Sequence, residues 1–163
     1  MASLAITGEV EQACELSVDD LTRFADPFQI ADVSKLDSDR QGQGVWLEGI
    51  LQAVKPEPAV KYLTLHASAD DFHASIPLKE IQDRSFLIFQ RDGVALPVDA
   101  GGPFRFCIVD SAACQTAEVD DCANVKFVDR MEFSTEPGQD SRPVTAREHA
   151  ALHAKEERHR QAE

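Results

Sequence analysis

The stretch LPVDAGGPFRFCIVD, residues 96–110, sets an arginine between two phenylalanines just behind a glycine pair. Gly101 and Gly102 permit positive φ and let a backbone come close to a ligand. Pro103 stiffens the entry, and Phe104, Phe106, Ile108 and Val109 read as a strand. Arg105 offers a planar fork of donors that suits phosphate or carboxylate. Lys126 lies on the next predicted strand, where the alternation can bring it near Arg105. An anion held between the two would account for cations in otherwise apolar strands. The other reading pairs Arg105 with one of the chain's 29 acidic residues. The residues alone leave both open.

Other residues of catalytic type are less telling. His66 and His73 face one another across a predicted hairpin, and two hairpin histidines can bind zinc. No third ligand is evident, so an ordinary histidine pair is expected. His149 and His153 stand four apart on a predicted tail helix, with His159 beyond. Their order is E-H-A-A-L-H, which is not the H-E-x-x-H protease pattern, and exposed histidines on a charged helix are expected. Cys14, Cys107, Cys114 and Cys122 form no C-x-x-C pair, which argues against a zinc knuckle or a thioredoxin-like motif. Cys114 and Cys122 share one polar connection and could pair if oxidised, but two unlinked thiols are expected. No Ser-His-Asp set, phosphate loop or nucleophile elbow is visible.

The totals bound the class. The 163 residues suit one domain. A net charge of -13 argues against nucleic-acid binding and against docking on an anionic membrane. No apolar run approaches the ~20 residues of a membrane span. The opening MASLAITGEV lacks a basic start and a long apolar core, so no secretory signal and a cytoplasmic location are expected.

These residues need elements to position them. Leu4 to Val10 alternates like a strand, and Ser17 with Asp20 forms a capping-box start for a short helix. Asp37 to Gly44 reads as a loop. Val45 to Val54 has helical spacing at Leu47, Ile50, Leu51 and Val54, closed by KPEP. Val60 to Ser68 and HASIPL form a hairpin, with Val60, Tyr62 and Thr64 expected on one face. Pro77 opens a helical turn. Ser85 to Gln90 is a strand buried on both faces, turned by Arg91 to Gly93. A last strand, Asn124 to Ser134, sets Val125, Phe127, Asp129, Met131 and Phe133 on one face. Beyond it come a polar linker and a weak helix opened by Thr145 and Glu148. The expectation is a single α+β domain over 1–135, with several strands and short helices, and a linker and helical tail over 136–163.

In their order, these motifs resemble the sulfite-oxidase-type molybdopterin-binding domain family. Its D-G-Y…S-I-P-L hairpin is matched by Asp70-Asp71-Phe72 and Ser75-Ile76-Pro77-Leu78. Its n-G-x-x-L-P turn is matched by Asp92-Gly93-Val94-Ala95-Leu96-Pro97. Its H-G-x-P-x-R becomes Ala100-Gly101-Gly102-Pro103-Phe104-Arg105, and x-V-K-W-L becomes Val125-Lys126-Phe127-Val128. GVWLEGIL resembles the G-V-P-L-x-D-L-L helix, and LAITGEVEQACELSVDDLTRF resembles the family's opening. The resemblance runs over about residues 4–134. It implies that Arg105 and Lys126 help hold the phosphate and pterin of molybdopterin, with Gly101 and Gly102 giving close backbone approach.

Three departures accompany the matches. The family's molybdenum is held by a cysteine between the first two helices, and here ADPFQIADVSKLDSDRQGQG, residues 25–44, has none. Cys14 falls too early to fill the place. The motif histidine is Ala100. Where basic residues flank the family's cysteine, this chain has Asp32, Asp37 and Asp39. Without the soft thiolate the metal loses its usual anchor, and sulfite oxidation by the family's route is not expected. Two readings follow. One is a divergent molybdopterin-binding oxidoreductase-type domain whose metal site is altered or lost. The other is a pseudoenzyme, a cofactor-free module for a small anion or a protein partner. A third, weaker reading is a metal-responsive protein using the tail histidines or Cys114 and Cys122.

Overall fold

The structure is a computed structural model, and it describes residues 2–109 and 124–142. Two sheets, one mixed and one antiparallel, share one core. The first runs β2-β1-β10-β5-β6 in space, built from β1 Ser3–Gly8, β2 Cys14–Ser17, β5 Tyr62–Ala67, β6 Phe72–Pro77 and β10 Arg130–Ser134. The second runs β3-β4-β7-β8, from β3 Gln29–Ile30, β4 Gln43–Trp46, β7 Ser85–Arg91 and β8 Val94–Ala95, with β9 Arg105–Ile108 also paired to β7. Three short helices, α1 Val18–Thr22, α2 Leu47–Val54 and α3 Leu78–Ile81, fill the connections. The chain is thus the α+β domain its pattern implied.

Local chemistry places several elements. The Ser17 hydroxyl accepts the Asp20 N–H at 3.1 Å while Asp20 accepts the Ser17 N–H at 2.9 Å, the reciprocal cap that starts α1. β5 and β6 form the expected hairpin, with His66 directly opposite His73. β7 is buried on both faces: Leu87 and Phe89 enter the main core, whereas Phe86 and Ile88 enter a second, smaller cluster with Ile30, Val33, Leu96 and Cys107. A β-strand sends alternate side chains to opposite faces, so a strand between two apolar layers needs no polar face.

Two expectations need correction. The helix begins at Leu47, not Val45, because Val45 and Trp46 belong to β4 and pair with Leu87 and Phe86. A β-branched and an aromatic residue suit that pleated, covered position, and Trp46 meets Phe86 edge-on at 5.9 Å. The last strand begins at Arg130, not Asn124. Phe127 takes a left-handed φ of 59°, which resets the alternation. Val125 and Val128 are therefore both buried while Phe127 is only partly so, and Lys126 lies on the approach to β10 rather than on a strand.

The outer face of β5 is also covered, which the hairpin pattern did not show. The chain after β10 folds back over Thr64 and Ser75, whose hydroxyls lie 3.2 Å apart. The Gly138 N–H donates to the Ser75 hydroxyl at 2.9 Å, and a Cβ on Gly138 would collide with Thr64. Along the free edge of β6, Asp140 accepts the Ser75 N–H, Arg142 donates to the Ser75 carbonyl at 3.0 Å, and the Ser141 N–H donates to the His73 carbonyl at 2.7 Å. Arg142 is itself held by Asp140 at 2.7 Å. These bonds satisfy backbone groups that an open edge would expose. Replacing Arg142 with alanine is expected to lower stability by about 1–2 kcal/mol without changing the denaturant slope, as read by urea unfolding of the full chain.

Candidate anion site at the glycine loop

The strand alternation explains the arginine between two phenylalanines. Phe104, Phe106 and Ile108 turn into the main core. Arg105 and Cys107 turn to the opposite face of β9, where Cys107 joins the smaller cluster. The loop in front is shaped by backbone bonds: the Gly101 N–H donates to the Val98 carbonyl and the Gly102 N–H to the Pro97 carbonyl, each at 2.9 Å.

Gly101 adopts a φ of 95°, where a side chain is strained. A Cβ there would lie 2.9 Å from Cδ of Arg105 and 3.1 Å from Cγ of Lys126. The stems of the two cations therefore pack over the same glycine. Arg105 Nη1 donates to the Ala100 carbonyl at 3.0 Å, which fixes one edge of the guanidinium. Lys126 is delivered by its neighbour, since the Phe127 N–H donates to the Gly101 carbonyl at 2.8 Å. Gly101, Arg105 and Lys126 meet at one loop. Glycine is required at position 102 by packing as well: the space a Cβ would need is taken by the Leu96 carbonyl.

One cation escaped the sequence reading. Arg40 lies in the acidic loop of residues 37–44, where only the aspartates and glycines drew notice. Its Nε lies 3.8 Å from Asp37 Oδ2, and its positive charge acts on the Cys107 thiol. Cys107 is 2% exposed, and burial pushes its thiol up, against the pull of Arg105 and Arg40. Nothing local in the sequence joins residue 40 to residue 107; only the second cluster does. Cys14, on β2, also has its thiol raised by burial. Among the described residues no group of three or more histidine, cysteine or acidic side chains could hold a metal ion. A cavity of about 400 Å³ beside β3 is lined by residues including Gln29, Ala31, Gln43 and Gln90, and neither Arg105 nor Lys126 reaches it. Cys114, Cys122, His149, His153, His159 and the tail helix lie outside the described residues. No described helix is long and apolar enough to cross a membrane.

Two sheets on a shared core, with a cation-lined glycine loop at the start of β9, define the class of domain. The family model for the oxidoreductase molybdopterin binding domain matches residues 2–142, and the chain belongs to that family. Among solved structures it is similar to the sulfane dehydrogenase SoxCD from Paracoccus pantotrophus, with a TM-score of 0.61 at 20% identity. That match covers 83% of this chain and 39% of the other, so the chain spans well under half the length of that protein. No curated protein matches.

Alanine at Gly101 is expected to cost about 1–2 kcal/mol from left-handed strain alone. Its Cβ also displaces the stems of Arg105 and Lys126. A lower melting temperature with retained far-ultraviolet circular dichroism is the expected readout.

Proposed function

We propose that this domain binds molybdopterin by its anionic end, with Arg105 and Lys126 as the phosphate-holding cations, and that its metal shell is altered or lost. The observation that carries this reading is the convergence of both side-chain stems over Gly101. Charge-assisted hydrogen bonds to an anion are about twice as strong as neutral ones. The two cations are also complementary, because Arg105 brings a planar fork and Lys126 a compact point charge. When bound, the cofactor would supply redox chemistry at molybdenum. This chain's residues supply positive charge and a backbone turn that holds it in place.

The donor set fits the phosphate end better than the metal end. Residues 25–44 contain no thiol, and Cys107 lies buried beneath them with its proton retained. A thiolate is the soft ligand such a metal calls for. Asp32, Asp37 and Asp39 add negative charge to the same segment, where an oxyanion substrate is repelled. The same facts favour a second reading, in which the scaffold is a non-catalytic module for a small anion or a protein partner.

The test is a cofactor assay on full-length chain purified from cells that make the molybdenum cofactor. Released pterin is read by fluorescence and molybdenum by mass spectrometry, each per chain. The expected result is near-stoichiometric pterin in the wild type, with little molybdenum. Arg105→Ala should retain less than a tenth of that pterin, with circular dichroism unchanged. Pterin retained in full by an Arg105→Ala, Lys126→Ala double variant would sink the assignment of these residues. A wild type without pterin would leave the small-anion or partner module as the function.

A further inference from the structure

His66 and His73 are the only titratable pair directly opposite one another on the outer face of the described hairpin. Their Nδ1 atoms lie 2.7 Å apart, with the rings edge to face. The far nitrogen of each ring meets a carboxylate: His66 Nε2 lies 2.9 Å from Glu132 Oε1, and His73 Nε2 lies 3.3 Å from Asp71 Oδ1. The four groups form one chain across β10, β5, β6 and the hairpin turn.

Proton counting decides the state of this chain. An ionised carboxylate only accepts, so each Nε2 must carry a proton. The two Nδ1 atoms then face each other. Two lone pairs at that distance repel, and so do two N–H groups. A single proton between them satisfies every contact. Two rings then hold three protons, which is one imidazole and one imidazolium.

We propose that His66 and His73 bind one shared proton, and that this imidazole–imidazolium pair is an acid-sensitive latch joining the β5–β6 hairpin to β10. The geometry also says where the charge sits. His66 is 3% exposed and stands opposite Arg130, whereas the His73 ring lies beside the exposed Asp71. His66 is therefore the ring held neutral. Burial lowers the His66 pKa below its ordinary 6.5, Arg130 lowers it further, and the Glu132 bond opposes both. Other charges face the pair: Arg130 and Glu132 from β10, Asp129 at its entrance, Asp70 and Asp71 in the turn, and Asp140 with Arg142 along β6.

A metal ion could sit between the same lone pairs. It would need the nitrogens to move apart and further ligands to close its shell, and the described residues do not group that way. A proton needs neither. The carboxylate behind each ring also serves the proton well, because it fixes the tautomer and balances the added charge.

The sign of the pH dependence follows. His66 resists protonation in the fold more than in the unfolded chain. On the acid side, the stability lent by neutral His66 is lost as the pH falls from 6.5 through its lowered folded value; on the alkaline side, loss of the shared proton sets the two lone pairs against each other and opens the pair. A second shared proton would set two N–H groups against each other and open the latch. The Asp129 N–H donates to the His66 carbonyl at 2.9 Å, so loosening reaches the approach to β10 first. The latch does not depend on what Arg105 and Lys126 bind.

Histidine-ring nitrogen NMR on the full chain between pH 8 and pH 4 tests this, together with urea unfolding across the same range. The two rings should titrate as a coupled pair, with His66 taking up its own proton below the ordinary histidine value. The folding constant should fall by up to tenfold per pH unit below pH 6.5. His66→Gln should flatten that slope even where it lowers stability at pH 7, and if the variant fails to fold, the wild-type ring titration alone decides. Two independent, ordinary histidine curves would overturn the proposal. So would a shift of both Nδ1 signals on adding equimolar zinc at pH 7, since the cation seated there would then be a metal.

Discussion

The Phe127 N–H bound to the Gly101 carbonyl at 2.8 Å is the contact on which the candidate site depends. It ties the approach to β10 onto the loop that opens β9. Two further bonds flank it, from the Phe106 N–H to the Val125 carbonyl and from the Val128 N–H to the Phe104 carbonyl, each at 2.9 Å. The strand of one sheet and the approach to a strand of the other are thereby stitched together. Lys126 is brought to Arg105 by this backbone link and not by attraction, since two cations alone would separate. The left-handed Phe127 and the left-handed Gly101 are the two backbone conformations that let the stitch close.

The same stitch explains how so small a chain positions two different polar arrangements. On one side of it lie Arg105, Lys126 and, through Cys107, Arg40. On the other, Asp129 hands the chain on to His66 and β10. β10 is the inner strand that carries both consequences. It runs parallel to β1 and antiparallel to β5, so its odd residues Met131 and Phe133 are locked in the core. Arg130 and Glu132 are then forced to the outer face, where the histidine pair meets them. A core requirement on alternate residues has thus set the polar residues between them.

Much of the scaffold was legible because its signals are local. The Ser17–Asp20 cap, the hairpin around Asp71 and the doubly buried β7 each rest on residues within a few positions of one another. The boundaries that failed did so for tertiary reasons. Val45 and Trp46 continue a helical pattern, but pairing with β7 claims them for β4. The strand pattern from Asn124 was broken by a single left-handed residue that no side-chain alternation announces. That packing also requires a glycine at 102 was not legible, because the Leu96 carbonyl that takes the place of its Cβ is brought there by the turn.

The sequence by itself determined the α+β class, the type of residue available to hold an anion, and the order of motifs that the family model matches over residues 2–142. These follow from periodicity, turn chemistry and side-chain inventory, which act along the chain. Only the tertiary structure decided which residues meet. It set Arg40 against Cys107 across 67 positions of chain. It placed Gly138 over Thr64 and left His66 and His73 sharing one gap between two carboxylates. Such meetings depend on sheet pairing between distant segments, and pairing is settled by the burial of the whole core rather than by any one stretch of it.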